Sequence, residues 1–189
     1  MAGTRTKKRI GTRQRIRTET KTKKIKKTRF PLRYLPNKLS KKDKQKQVNM
    51  LIKSRKLYKN KIYYTRHSVS SYKNKTSNHI ENARKIYKVN KITPNNELSR
   101  KTGCSLAALR KIVQKGEGAY FSSGSRPNQT AQSWGLARLA SSITSGKSAA
   151  VDYDILDKGC DHNKKAFRLA RKSRQKYGYG HSKTRSISV

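Results

Sequence analysis

The chain has 189 residues, with 49 Lys and Arg against 9 Asp and Glu, and a formal net charge of +40. That balance makes a polyanion the obvious partner. No stretch approaches the ~18 apolar residues of a spanning helix, which excludes a membrane span. The length suits one domain plus a tail, and the hydrophobic content of 32% is low mainly because of the arm and the last fifteen residues.

Residues 1–29 read as a basic arm. Between Arg5 and Arg29 there are thirteen cations and one acid, Glu19. Arg5, Lys7, Lys8, Arg9, Arg13, Arg15, Arg17, Lys23, Lys24, Lys26, Lys27 and Arg29 are the candidate phosphate ligands. Thr alternates with them and only Ile10, Ile16 and Ile25 interrupt, so the segment buries too little to offset its ordering entropy and is expected to be disordered or extended. The same clusters also read as nuclear signals. No secretory apolar region follows Met1, so the expectation is a chain made and used in a reducing compartment.

Residues 30–176 read as one folded domain. Phe30 to Pro36, with two prolines, is expected to be extended and docked on the body. Ser40 caps a helix to about Tyr58 carrying Gln47, Met50, Leu51 and Leu57, with Asp43 in its first turn. The chain then turns at Asn60 and alternates as a short strand around Tyr63. Ser77 starts a second helix with Ile80, Ala83, Ile86 and Tyr87 on one stripe.

Pro94 to Lys115 has the spacing of a helix-turn-helix. Leu98 and Ser99 sit on a first short helix, Gly103 turns it, and Leu109 and Ile112 pack the second helix back. The open face would carry Ser105, Ala108, Arg110, Lys111 and Gln114, of which Arg110, Lys111 and Gln114 are the candidate nucleic-acid ligands. A purely structural corner satisfies the same spacing.

Lys115 to Thr130 reads as a glycine–serine block. Ser122, Ser123, Gly124, Ser125 and Arg126 form a candidate anion-binding loop, with backbone N–H groups and a guanidinium fork. A tight loop kept for its geometry is the competing account. Thr130 caps a helix carrying Trp134, Leu139, Ala140 and Ile143, ending near Gly146. Val151 to Leu156 alternates as a strand with Asp152 and Asp154 on its wet face. His162 to Lys176 is a basic helix, and residues 177–189 read as a flexible aromatic–basic tail whose Tyr residues can stack on bases. The fold class is therefore mainly α with a small β element: five short helices around one core, with strands near Tyr63 and Ile155.

Catalytic residues are not expected, since no Ser has a local base and His67, His79, His162 and His181 are scattered. Cys104 and Cys160 lack zinc-ligand spacing and read as core thiols. No metal, cofactor or small-molecule substrate is expected.

The run Gly118-Ala119-Tyr120-Phe121-Ser122-Ser123-Gly124-Ser125-Arg126-Pro127-Asn128-Gln129-Thr130, followed by Ser133-Trp134 and Ala137-Arg138-Leu139-Ala140-Ser141, resembles an uncharacterised domain family of large eukaryotic DNA viruses and some tailed phages. The resemblance extends back to about Leu32. It implies a viral origin and a protein carried in the virion, present in the host nucleus or viral factory during assembly; it implies no reaction. The expected function is a non-enzymatic virion-associated basic protein that binds or lies against viral DNA, with other virion proteins as further partners. One alternative is a minor capsid protein whose arm threads acidic surfaces of neighbouring subunits. The other is a nucleotide- or nucleic-acid-processing enzyme using the Ser122–Arg126 loop.

Overall fold

A computed structural model describes residues 28–74, 76–180 and 185–189. Eight α-helices and a two-stranded sheet make up these residues: β1 (Arg29–Pro31), α1 (Lys41–Lys59), α2 (Asn78–Tyr87), α3 (Asn96–Thr102), α4 (Leu106–Ser122), α5 (Ala131–Ile143), α6 (Lys147–Val151), α7 (Tyr153–Gly159), α8 (Lys165–Tyr177) and β2 (Ser186–Ser188). The mainly α class with a small β element is what the sequence leads one to expect. Helix number and the place of the strands are not.

Local signals set the helix starts. Ser40 accepts from the Asp43 amide at 3.2 Å, Asn95 from Leu98 at 2.8 Å and Ser105 from Ala108 at 3.2 Å. Thr130 and Ser133 form a reciprocal capping box. Each side-chain oxygen takes a backbone donor that the first helical turn leaves open.

The main core gathers Ala83, Tyr87, Leu98, Leu109, Ile112, Leu139, Ile143, Leu156, Phe167 and Ala170 from six of the helices. Helices α4 and α5 pack backbone to backbone: a Cβ on Gly116 would stand 2.6 Å from the Gly135 Cα. The Tyr87 hydroxyl donates to the Ile143 carbonyl at 2.6 Å, and burial pushes its pKa up. A second cluster holds Phe30, Tyr34, Leu35, Val48 and Leu51, so the segment Phe30–Pro36 does dock on the body.

Four expectations are corrected. The Tyr63 stretch is irregular chain: among the described residues it has no partner strand, and the Arg66 amide instead donates to the Tyr120 hydroxyl at 3.1 Å. Val151 to Leu156 is not a strand but the junction of α6 and α7, because Ala149, Ala150 and Leu156 are buried at helical spacing. The observed sheet pairs β1 antiparallel with β2, Phe30 opposite Ile187, so the end of the expected flexible tail is a strand. Cys104 and Cys160 are not thiols but a disulfide. The two corners that carry them lie side by side, with Ser105 N–H donating to Gly159 at 2.7 Å and Asp161 N–H to Gly103 at 2.8 Å.

Candidate nucleic-acid interface

The corner between α3 and α4 forms as its spacing demands. Leu98, Leu109 and Ile112 are fully buried. Gly103 has φ +73°, and its N–H closes α3 on the Ser99 carbonyl at 2.8 Å. A side chain there would meet both a left-handed backbone and the Lys164 methylenes. The same corner is also covered. Ala108, expected on the open face, is only 6% exposed, because Gly159 lies against it; a Cβ on Gly159 would come within 2.4 Å of the Ala108 Cβ.

Arg110, Lys111 and Gln114 are exposed on α4. Lys111, Gln114 and Lys115 line one wall of a groove of about 400 Å³, and Asp154 stands on the other. Lys115 crosses it to Asp152 at 2.9 Å. The groove therefore has mixed charge, and the cations free to meet a polyanion are those on its outer lip.

The glycine–serine block is not one loop. Helix α4 continues through Gly116 and Gly118 to Ser122, and only residues 123–130 are irregular. Ser122, Ser123 and Arg126 are exposed, whereas Gly124 and Ser125 are buried. Gly124, at φ +103°, packs on Leu51 and Tyr34. The loop turns oxygens, not amides, toward the body. Arg55 donates through Nη2 to the Ser123 carbonyl at 2.8 Å, and Gln47 to Ser125 at 3.4 Å. Asn128 bonds Val69 in both directions, donating at 2.9 Å and accepting at 2.7 Å. Its inner face is thus a cation-capped turn, and an anion could reach only the Ser122, Ser123 and Arg126 side. Burial first, and then the Arg126 charge, hold the His79 imidazole below its ordinary pKa.

Two arginines that local pattern does not single out position this loop. Arg66 is 8% exposed and has no carboxylate partner among the described residues. Its Nη1 donates to the Tyr120 carbonyl at 2.9 Å and Ser54 Oγ at 3.1 Å, and its Nη2 to Ser125 Oγ at 2.8 Å. The guanidinium also lies 3.7 Å from the Tyr120 ring centroid. Burial lowers its pKa; the neutral acceptors and the ring face replace the water it has lost. Arg55 sits 4.1 Å over Phe30 and is also lowered by burial. A buried cation without an acid is visible only once residues 54, 66, 120 and 125 are brought together.

Asp152 is the internal counterpart. Its carboxylate, expected on a wet face, is fully buried. It accepts from Arg138 Nε and Nη2 at 2.8 and 2.7 Å and from Ser142 Oγ at 2.9 Å. Asp43 is likewise engaged, accepting from the Ser71 amide at 2.8 Å, and hydrogen bonds from Ser71 hold its pKa down. Among the described residues no group of three His, Cys, Asp or Glu is placed to hold a metal ion, and no helix is long and apolar enough to cross a membrane.

Cations dominate the surface left over. Helix α8 contains no acid and exposes Lys165, Arg168, Arg171, Lys172 and Lys176. Arg174 stacks 3.8 Å over the tail ring Tyr179. Tyr58, Tyr63 and Phe121 also meet: Tyr63 and Phe121 are edge-on at 5.1 Å, and Tyr58 lies parallel to Phe121 at 6.4 Å. Arg29 is exposed on β1. The other arm candidates, Arg5 to Lys27, lie outside the described residues; Arg110, Lys111 and Gln114 are brought together on α4.

The fold and this surface define a mainly helical body with a strongly basic exterior. Residues 31–166 match the model of a family described as a family of unknown function (DUF5824), and the chain belongs to that family. No curated protein and no solved structure matches it.

Proposed function

We propose that the protein is a non-enzymatic basic protein that binds nucleic acid inside a virus particle. The observation that carries this reading is the unneutralised charge. Nine acids face 49 cations, and Asp43 and Asp152 are turned inward to hold the body's own elements. The cations of α1, α4 and α8 are thereby left for an external polyanion. The viral setting rests on the resemblance carried by Gly118 to Thr130. A particle exposed to oxidising surroundings also suits the Cys104–Cys160 disulfide.

The test is binding of the full chain to duplex DNA across a salt series. Engagement of ~10 phosphates gives a slope of log affinity on log salt near −9. A slope shallower than about −2 removes phosphate neutralisation from the mechanism. Arg110→Ala and Lys111→Ala, made in a chain that starts at Thr28, each flatten the slope by about one unit if the outer lip of α4 touches phosphate, and are silent if the corner is structural. Retention on an acidic protein surface with no DNA shift would replace this reading by the minor-capsid alternative.

A further inference from the structure

Between Asp43 and Glu81 the chain has no acid at all, and it carries ten Lys and Arg. The Tyr58–Tyr63–Phe121 rings lie in the middle of that stretch and on the last turn of α4. Tyr63 is 65% exposed and its neighbour Ile62 is 52% exposed, an arrangement that leaves a large ring in water while two others fix it from behind. Tyr58 stands 5.9 Å from Tyr63 on the inner side, and Phe121 is itself held edge-on by the fully buried Tyr120 at 5.0 Å. Lys56, Lys59 and Lys61 are exposed around them. The acid on α4, Glu117, lies one turn before Phe121 and has its γ-methylene against Gly135.

The turn that presents Tyr63 carries a second signal. Helix α1 ends with Lys61 N–H donating to Tyr58 at 3.0 Å and Ile62 N–H to Leu57 at 3.1 Å, the paired bonds of a Schellman cap, whose left-handed position is usually glycine. Here that position is Lys61, at φ +60°. A side chain is kept where its absence would be more comfortable, a pattern that points to a use for the side chain.

We propose that Tyr63, braced by Tyr58 and Phe121 and flanked by Lys59 and Lys61, is a stacking platform for the bases of single-stranded nucleic acid. An exposed ring face offers a base what water cannot, and every base has such a face. The flanking ammonium groups meet the phosphates on either side. A duplex keeps its bases stacked on one another, so an exposed ring reaches only its backbone. The exposed Lys56, Lys59 and Lys61 favour a strand over an apolar protein partner, which would bring no charge to match. The proposal rests on the reading that the chain binds nucleic acid.

The experiment measures anisotropy of a labelled 20-nucleotide poly-dT strand and of a 20-base-pair duplex, with the full chain, at about 0.3 M salt, where phosphate contacts are weakened on both. Tyr63→Ala is expected to weaken single-strand binding by about tenfold, within the range for one lost base stack, and to leave duplex binding within about twofold. Lys61→Gly is expected to raise the melting temperature, by relieving the left-handed strain, while weakening single-strand binding by about two- to fivefold. That combination cannot arise from unfolding. Equal losses on both substrates, or no loss with Tyr63→Ala, overturn the platform and leave the polyanion reading standing. Failure of the unaltered chain to bind either substrate overturns both. Binding that survives Tyr63→Ala on DNA but transfers the effect to an apolar peptide assigns the patch to a protein partner and overturns the proposal.

Discussion

Replacing Asp152 by Ala leaves the Arg138 guanidinium, with its side chain 18% exposed, and Ser142 without their shared acceptor. Removing one partner of a fully buried pair costs about 3–5 kcal/mol. Here Arg138 keeps some solvent and Asp152 keeps Lys115 at 2.9 Å, so chemical denaturation of Asp152→Ala and Arg138→Ala should show losses at or below the lower end of that range that do not add in the double variant. Asp43 is governed by pH instead. Its folded pKa lies below the unfolded one, since Ser71 and Ser70 donate to the carboxylate. Its contribution is therefore complete above the ordinary aspartate value of about 3.9 and is lost as pH falls through the depressed folded value. Thermal melts between pH 6 and pH 2 should fall at the acid end, and Asp43→Asn should fall less steeply there. Ser40, Ser105 and Thr130 were legible as caps because the bond each makes spans three residues. Asp152 was not, because its partners lie 10, 14 and 37 residues away. An alternating run of acids and apolar residues says nothing about a guanidinium folded over it.

At the scale of elements, the glycines of α4 separate two roles that composition merges. Gly116 is where α5 crosses, and Gly135 answers it, with Val113 O 2.8 Å from where a Cβ would stand. Gly135→Ala should cost about 1–3 kcal/mol by forcing the two helices apart. Gly118 has open space and only the Tyr58 hydroxyl at 3.5 Å, so Gly118→Ala should be neutral or stabilise by up to about 1 kcal/mol. Denaturant midpoints of the two variants test the contrast. In the sequence Gly116 and Gly118 look like loop residues, since helix propensity is local and the α4–α5 contact is not. The Tyr63 and Val151 stretches fail for the same reason: period-two alternation marks a strand only when another strand is there to pair. The α3–Gly103–α4 corner was legible in full, because a helix end, a left-handed glycine and a cap follow one another directly. That Gly159 and Cys160 would cover it was not.

For the whole molecule, the boundary between arm and body falls earlier than charge suggests. Thr28 exchanges two backbone hydrogen bonds with Val189, at 2.9 and 3.0 Å, and Phe30 is fully buried. A chain cut to begin at Phe30 should therefore lose stability along with the cations, whereas one beginning at Thr28 should lose affinity alone; circular dichroism melts of the two decide it. Charge told where the cations are dense but not where the backbone begins to pair, since Arg29 serves both. The disulfide is a further whole-chain property, joining residues 56 apart. In the chain-entropy account its reduction should cost about 4 kcal/mol.

The same bond divides the polypeptide mechanically. A load applied from outside residues 104 and 160 passes through the sulfur bridge, and the segment between them, which holds α4 to α7, cannot be drawn out. At ~3.5 Å per extended residue, about 190 Å of contour stays locked away. Pulled between handles on either side of the ring, single molecules should reach full extension early, and added thiol should release that length in one step.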